Sequence, residues 1–199
     1  MRILSILVLS LLGMATVQAN PGAEAVIKTQ TELLLNRLQI EEAVHNDDAS
    51  LESLVVETIG QHVDFSLFSQ LVLGKHRKRL TPEEMARFEH GLTGVVIKTY
   101  AASLAGMSDL KISYLGVQKG KKERRVTVLT SVKSAGNPTV RLDYRLYEKA
   151  GQWKVYDVVI EGVSMMMNYR TVFSEKIGSE GIEAVISSFD TADNVLAAS

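Results

Sequence analysis

Residues 140–170 read VRLDYRLYEKAGQWKVYDVVIEGVSMMMNYR. Apolar side chains first alternate with polar ones, at Val140, Leu142, Tyr144 and Leu146, and then again along Trp153, Val155, Asp157 and Val159. A period of two marks strands, and the short break at Ala150-Gly151 marks a tight turn between them. After Glu161-Gly162 the period changes. Ser164 stands where a helix N-cap would, and Met165, Met166, Tyr169, Val172, Phe173 and Ile177 share one helical face. Met167 falls on the other side, among Thr171 and Glu175. Two of the three methionines are therefore expected to point toward the sheet, and the third to sit at the rim.

Two further alternations precede this stretch: Leu110-Ile112-Tyr114 and Val126-Val128-Thr130-Val132. The breaks at residues 119–122 and 135–138 are short and turn-like. Four strands joined this tightly form an antiparallel meander. Upstream the spacing is helical over residues 23–44, 50–60 and 64–73, with Asp64 as a cap for the third segment. Thr81-Pro82-Glu83-Glu84 then carries the parts of a capping box and opens a helix expected to end near Gly106. Two more helices, over about 164–178 and 179–196, close the chain. Helices, then strands, then helices make an α+β fold, a four-stranded meander sheet covered on one face by the N-terminal and C-terminal helices.

The first residues, MRILSILVLSLLGMATVQA, combine a short positive start, an apolar run and small residues at Val17 and Ala19. They read as a secretory signal cleaved after Ala19, leaving residues 20–199 as a single domain. The 199-residue chain has no cysteine, which closes both the lipoprotein anchor and disulfides. Hydrophobic residues make up 46% and charged residues 23%, a globular balance, and the net charge of -1 argues against a generic nucleic-acid binder.

Catalytic constellations are missing. His45, His62, His76 and His90 include no pair at metal-binding spacing. Gly162-Val163-Ser164 begins a nucleophile elbow, but Met166 occupies the position of its second glycine. Asp47-Asp48 and Glu83-Glu84 read as solvated helix-end carboxylates. Two basic runs remain, Lys75 to Arg79 and Lys119 to Arg125, which suit either solvated turns or a docking surface for acidic partners or anionic headgroups. The methionine stripe suits either ordinary core or a pocket that adapts to its contents.

Tyr156-Asp157-Val158, Ile160 to Ser164, Asn168-Tyr169-Arg170 and Phe173 together resemble the signature of the MlaC (toluene-tolerance auxiliary) family of periplasmic phospholipid-binding proteins. Val63-Asp64-Phe65, Leu73-Gly74-Lys75, Thr81 to Glu84, Phe88 and Thr99-Tyr100-Ala101 resemble the same family's helical segment. His76-Arg77 depart from it, where several members carry an aromatic pair. The resemblance implies a periplasmic phospholipid carrier with an apolar cavity between sheet and helices. Such a carrier moves lipid between an outer-membrane lipoprotein complex and an inner-membrane ABC-transporter complex, and so maintains outer-membrane lipid asymmetry. It implies no catalysis and no cofactor beyond the phospholipid cargo, and a monomer is expected. Met166 and Phe173 are expected to face the cavity with Tyr169 near its wall. Val96 and Tyr100 on the capped helix, and Tyr144, Leu146 and Val155 on the sheet, are expected to complete it. The rival expectation is a periplasmic adaptor that bridges membrane complexes through its basic patches and has a solid core.

Overall fold

The computed structural model describes residues 22–40, 48–104, 110–122 and 124–190. The signal segment, Gly106 and His45 lie outside the described residues. Four helices come first: α1 (Ala23–Ile40), α2 (Asp48–Ile59), α3 (Phe65–Leu73) and α4 (Pro82–Leu104). Short 3-10 turns at Gly60–His62 and His76–Arg79 flank α3. Strands β1 (Lys111–Lys119), β2 (Arg125–Lys133), β3 (Val140–Lys149) and β4 (Gln152–Ile160) then pair in sequence order, each antiparallel to the last. A fifth strand, β5 (Val163–Ser164), folds back on β4 before α5 (Met165–Glu180) and α6 (Ile182–Asp190). It exceeds the four strands expected because the tight turn at Glu161 and Gly162, both at positive φ, carries two more residues back along β4.

The helix starts are the local ones read from sequence. The Thr81 N–H donates to the Glu84 carboxylate at 2.6 Å and the Glu84 N–H donates to the Thr81 hydroxyl at 3.2 Å, a complete capping box. Asp64 accepts from the Leu67 N–H, and Ser164 from the Met167 N–H. Each cap satisfies a donor that the first helical turn leaves without an intrahelical partner.

Two bulges adjust the sheet. In β1 the register shifts between Tyr114 and Gly116, leaving Leu115 as the extra residue, and Gly116 sits at φ +113°. In β4, Val155 opposes Leu146 while Asp157 opposes Arg145, so Tyr156 is the extra residue. The second bulge corrects the sequence reading. The run Trp153, Val155, Asp157, Val159 does not line one face, because the bulge sends Asp157 and Val159 to the face opposite Val155. Val63 adds a parallel bridge to Val155 along the outer edge of β4, and the Asp64 N–H donates to the Val155 carbonyl at 2.8 Å.

Gly91 lets α6 approach α4. A Cβ at this position would lie 2.6 Å from the Phe189 Cβ and closer still to its ring. Gly91→Ala is expected to destabilise by about 1–3 kcal/mol through overpacking, even after the alanine gains about 1 kcal/mol of helix propensity. A urea titration should show the lowered midpoint, and an unchanged midpoint would mean that α6 packs elsewhere in solution.

Candidate functional site

The elements close into a ring. The first helix lies on β1 and β2 and on α2, α2 lies on α4, α4 lies on α3, and α3 returns to β4. Apolar side chains around this ring form three clusters, where a domain of this size ordinarily has one contiguous core. One joins α3, α4, α5 and α6 around Phe88 and Phe173. Another joins the second half of α1 to α2 and to Ala101. The last joins Ala23 and Ile27 of α1 to Val128, Leu146 and Val155 of the sheet. The α1 helix therefore divides one apolar stripe between two clusters.

Against these clusters pack apolar groups that are only partly buried. They include Val96 and Tyr100 on α4, and Tyr114, Tyr144 and Val158 on the sheet. Tyr144 is the most informative. Burial, with a smaller contribution from Tyr114, pushes its hydroxyl pKa well above the ordinary range, and the residue as a whole is of intermediate exposure. It packs against the sheet cluster together with Tyr114, Val126 and Val158.

The eight residues expected at the cavity divide between two of these clusters. Val96, Tyr100, Met166, Tyr169 and Phe173 belong to the all-helical one, whereas Tyr144, Leu146 and Val155 belong to the sheet cluster. Met165 and Met166 pack against the helical cluster, on a helix that lies on α3 and α6 and also touches β4. Met167 is exposed at 48%, on the rim as expected. Tyr100 and Tyr169 meet through their hydroxyls, and burial raises both pKa values above the ordinary range. Phe173 is wholly enclosed by rings: Phe88 at 5.4 Å edge-on, Phe189 at 5.7 Å and Tyr169 at 6.3 Å. Tyr114 and Val158 were missed from sequence, although Tyr114 continues the alternation of β1. The register sets Tyr114 opposite Thr130 and Tyr144 opposite Val128, so both tyrosines look inward from the same face.

The strand-to-helix junction is held by a carboxylate. Asp157 is 2% exposed and accepts from Arg145 at 2.9 Å, from the Ser164 hydroxyl at 2.6 Å and from the Met166 N–H at 3.0 Å. Ser164 donates its proton to Asp157 while capping α5, so its hydroxyl is committed to structure. No histidine enters this network of hydrogen bonds.

A second carboxylate ties α3 to the sheet. Asp64 accepts from the Tyr147 hydroxyl, from Lys149 at 2.9 Å and from the Leu67 N–H at 2.8 Å. Burial alone would raise its pKa, but these donors together outweigh burial and hold the carboxyl below the ordinary 3.8. A depressed folded-state pKa contributes stability that is present above the unfolded value and is lost as pH falls through the folded one. The gap in urea midpoint between the native chain and Asp64→Asn is therefore expected to be constant near neutrality and to narrow below about pH 4. A gap that persisted in acid would assign the effect to the cap geometry alone. Beside Asp64 lies an open pocket of about 320 Å³ whose lining includes Glu89, Lys149 and Lys154, a poor seat for an acyl chain.

Among the described residues no group of three or more histidine, cysteine, aspartate and glutamate side chains could hold a metal ion, and no helix is long and apolar enough to cross a membrane. Asn168 is exposed, and the Arg170 guanidinium lies against Gly74, 2.5 Å from where a Cβ would stand. Gly74, at φ +53°, ends α3 as the sequence predicts.

Comparison with known proteins agrees with this architecture. The chain is 23% identical over 167 residues to the toluene tolerance protein ttg2D of Pseudomonas putida, covering 83% of this chain and 77% of that one. It is 22% identical over 188 residues to the intermembrane phospholipid transport system binding protein MlaC of Haemophilus influenzae, covering 92% and 88%. A phospholipid-binding protein from Ralstonia solanacearum, solved in complex with a phospholipid, superposes with a TM-score of 0.79 at 26% identity, over 85% of this chain and 95% of its own. The model of the MlaC protein family matches residues 28–191. With that span and this ring of helices around a meander sheet, the chain belongs to the MlaC family.

Proposed function

We propose that the chain is a phospholipid carrier. Residues 1–19 direct it to the periplasm, and residues 20–199 form the single lipid-binding domain. The observation that carries this reading is the divided apolar core, with Val96, Tyr100, Tyr114, Tyr144 and Val158 only partly buried against its clusters. The Ralstonia relative, described as being in complex with a phospholipid, supports the same conclusion. Each methylene taken out of water contributes about 0.8 kcal/mol, so two ordinary acyl chains gain on the order of 20 kcal/mol before ordering and desolvation are subtracted. An apolar slot is sufficient for that, and the headgroup stays in water. The partners are an outer-membrane lipoprotein complex and an inner-membrane ABC-transporter complex, between which a monomeric carrier moves lipid to maintain outer-membrane asymmetry. It needs no cofactor and performs no chemistry on its cargo.

Native mass spectrometry of mature protein purified without detergent tests the proposal. A mass excess equal to an intact phospholipid is expected. A bare polypeptide, with no uptake from added vesicles, would remove the carrier reading and leave an adaptor. Val96→Trp locates the cavity wall. In a filled core the added volume costs about 1–3 kcal/mol, whereas at a wall it leaves stability nearly unchanged and lowers lipid occupancy severalfold. Occupancy should fall while the urea midpoint holds, and the reverse result would make Val96 plain core.

A further inference from the structure

The 3-10 turn His76–Arg79 and the face of α5 beside it form one surface that the carrier reading leaves unused. Arg170 lies on Gly74, and the His76 imidazole comes within 3.4 Å of the Ser174 hydroxyl, so the turn and α5 are neighbours. Lys75, Arg77, Lys78, Arg79 and Arg170 are all exposed. None makes an ion pair among the described residues, although other cations of the chain do, such as Arg87 with Glu183. The nearest acids in the chain are Glu83, Glu84 and Glu175, and Glu84 is engaged in the capping box. Met167 lies one turn before Arg170 and Thr171 on the same helix and is 48% exposed.

We infer that this surface docks the protein on an anionic lipid bilayer. A 3-10 turn has about three residues per turn, so the successive cations Arg77, Lys78 and Arg79 leave it in different directions. Such a fan does not converge on one fixed carboxylate, but it matches laterally mobile phosphates. An exposed methionine one helical turn from Arg170 favours the interface between headgroups and acyl chains over an acidic protein face. Docking there is independent of whether the interior holds cargo.

Flotation of the full mature chain with vesicles tests it. Vesicles of phosphatidylcholine are compared with vesicles that also contain phosphatidylglycerol. Binding only to the latter is expected, and it should weaken steeply as salt shortens the reach of the charges. A basic residue near an anionic surface contributes about a fivefold gain in binding, so removing three lowers affinity roughly a hundredfold. The variant is Arg77→Gln with Lys78→Gln and Arg79→Gln, which leaves Arg170 and the α3–α5 contact in place. Met167→Gln should lower binding by a smaller factor. Equal flotation with both vesicle types, or full binding by the triple variant, overturns the inference. An absence of binding to either vesicle also overturns it and gives the surface to an acidic protein. Lipid content of the purified protein is read separately, so an empty interior and a failed docking surface are distinguishable.

Discussion

Phe173→Ala lowers the stability of the chain by about 3–5 kcal/mol, the range for removing a fully enclosed aromatic side chain. Phe173 has no exposed surface and touches rings contributed by three other positions, Phe88, Tyr169 and Phe189, which belong to α4, α5 and α6. Removing it takes away one edge-on, one stacked and one tilted ring contact, which contribute beyond their buried area, and leaves a space that rigid helices fill only in part. The loss should appear as a lower urea midpoint. Lipid content, measured on the folded fraction, should change little. If instead the midpoint holds within about 1 kcal/mol and the lipid disappears, Phe173 is wall and not core. The residue that most resembled a cavity anchor in sequence is thus the one expected to act chiefly on stability.

Asp157→Ala is expected to cost about 3 kcal/mol, at the low end for breaking a buried pair, because Arg145 keeps access to water. Three donors lose their acceptor at once: the Arg145 guanidinium, the Ser164 hydroxyl and the Met166 N–H. Ser164 can still cap α5, so the helix should form but lose its fixed angle to β4. Asp157→Asn keeps an oxygen for the Met166 N–H and should retain roughly half of the stability, a split that a simple loss of volume would not give. Ser164→Ala removes the cap as well as one of these donors and should cost about 1 kcal/mol. Equal losses for Asp157→Ala and Asp157→Asn would mean that the charge on Arg145 is the dominant requirement.

What the sequence disclosed and what it withheld follow from the range of the interactions. Caps are local, so Asp64, Thr81 and Ser164 could each be read from three or four residues. Strand alternation is local too, and four of the five strands followed from it. The bulge at Tyr156 was hidden because it preserves the period while reversing the face. An aspartate inside an otherwise apolar alternation was the available signal. Asp157 looked like the polar member of an inward row and is instead the anchor of the next helix. The partition of the expected wall residues between two clusters depends on how α5 leans against α3 and α6. Nothing within α5 encodes that tilt. The link from Asp64 to Tyr147 and Lys149 spans more than eighty residues and was equally invisible.

The two borders of the sheet differ in how open they are to further pairing. Along β4 the outer backbone groups are covered by β5 and by the bridge from Val63. Among the described residues no strand pairs beyond β1, and Leu115 and Val117 stand exposed there at 51% and 46%. A flat apolar border of that kind would template the stacking of further chains. The kink at Leu115-Gly116 and the lysines at positions 111 and 119 spoil the template without disturbing the interior. The shape and charge of this border thus oppose edge-to-edge pairing. Ordered aggregation would begin where that kink was straightened, before any change in the packing of the core.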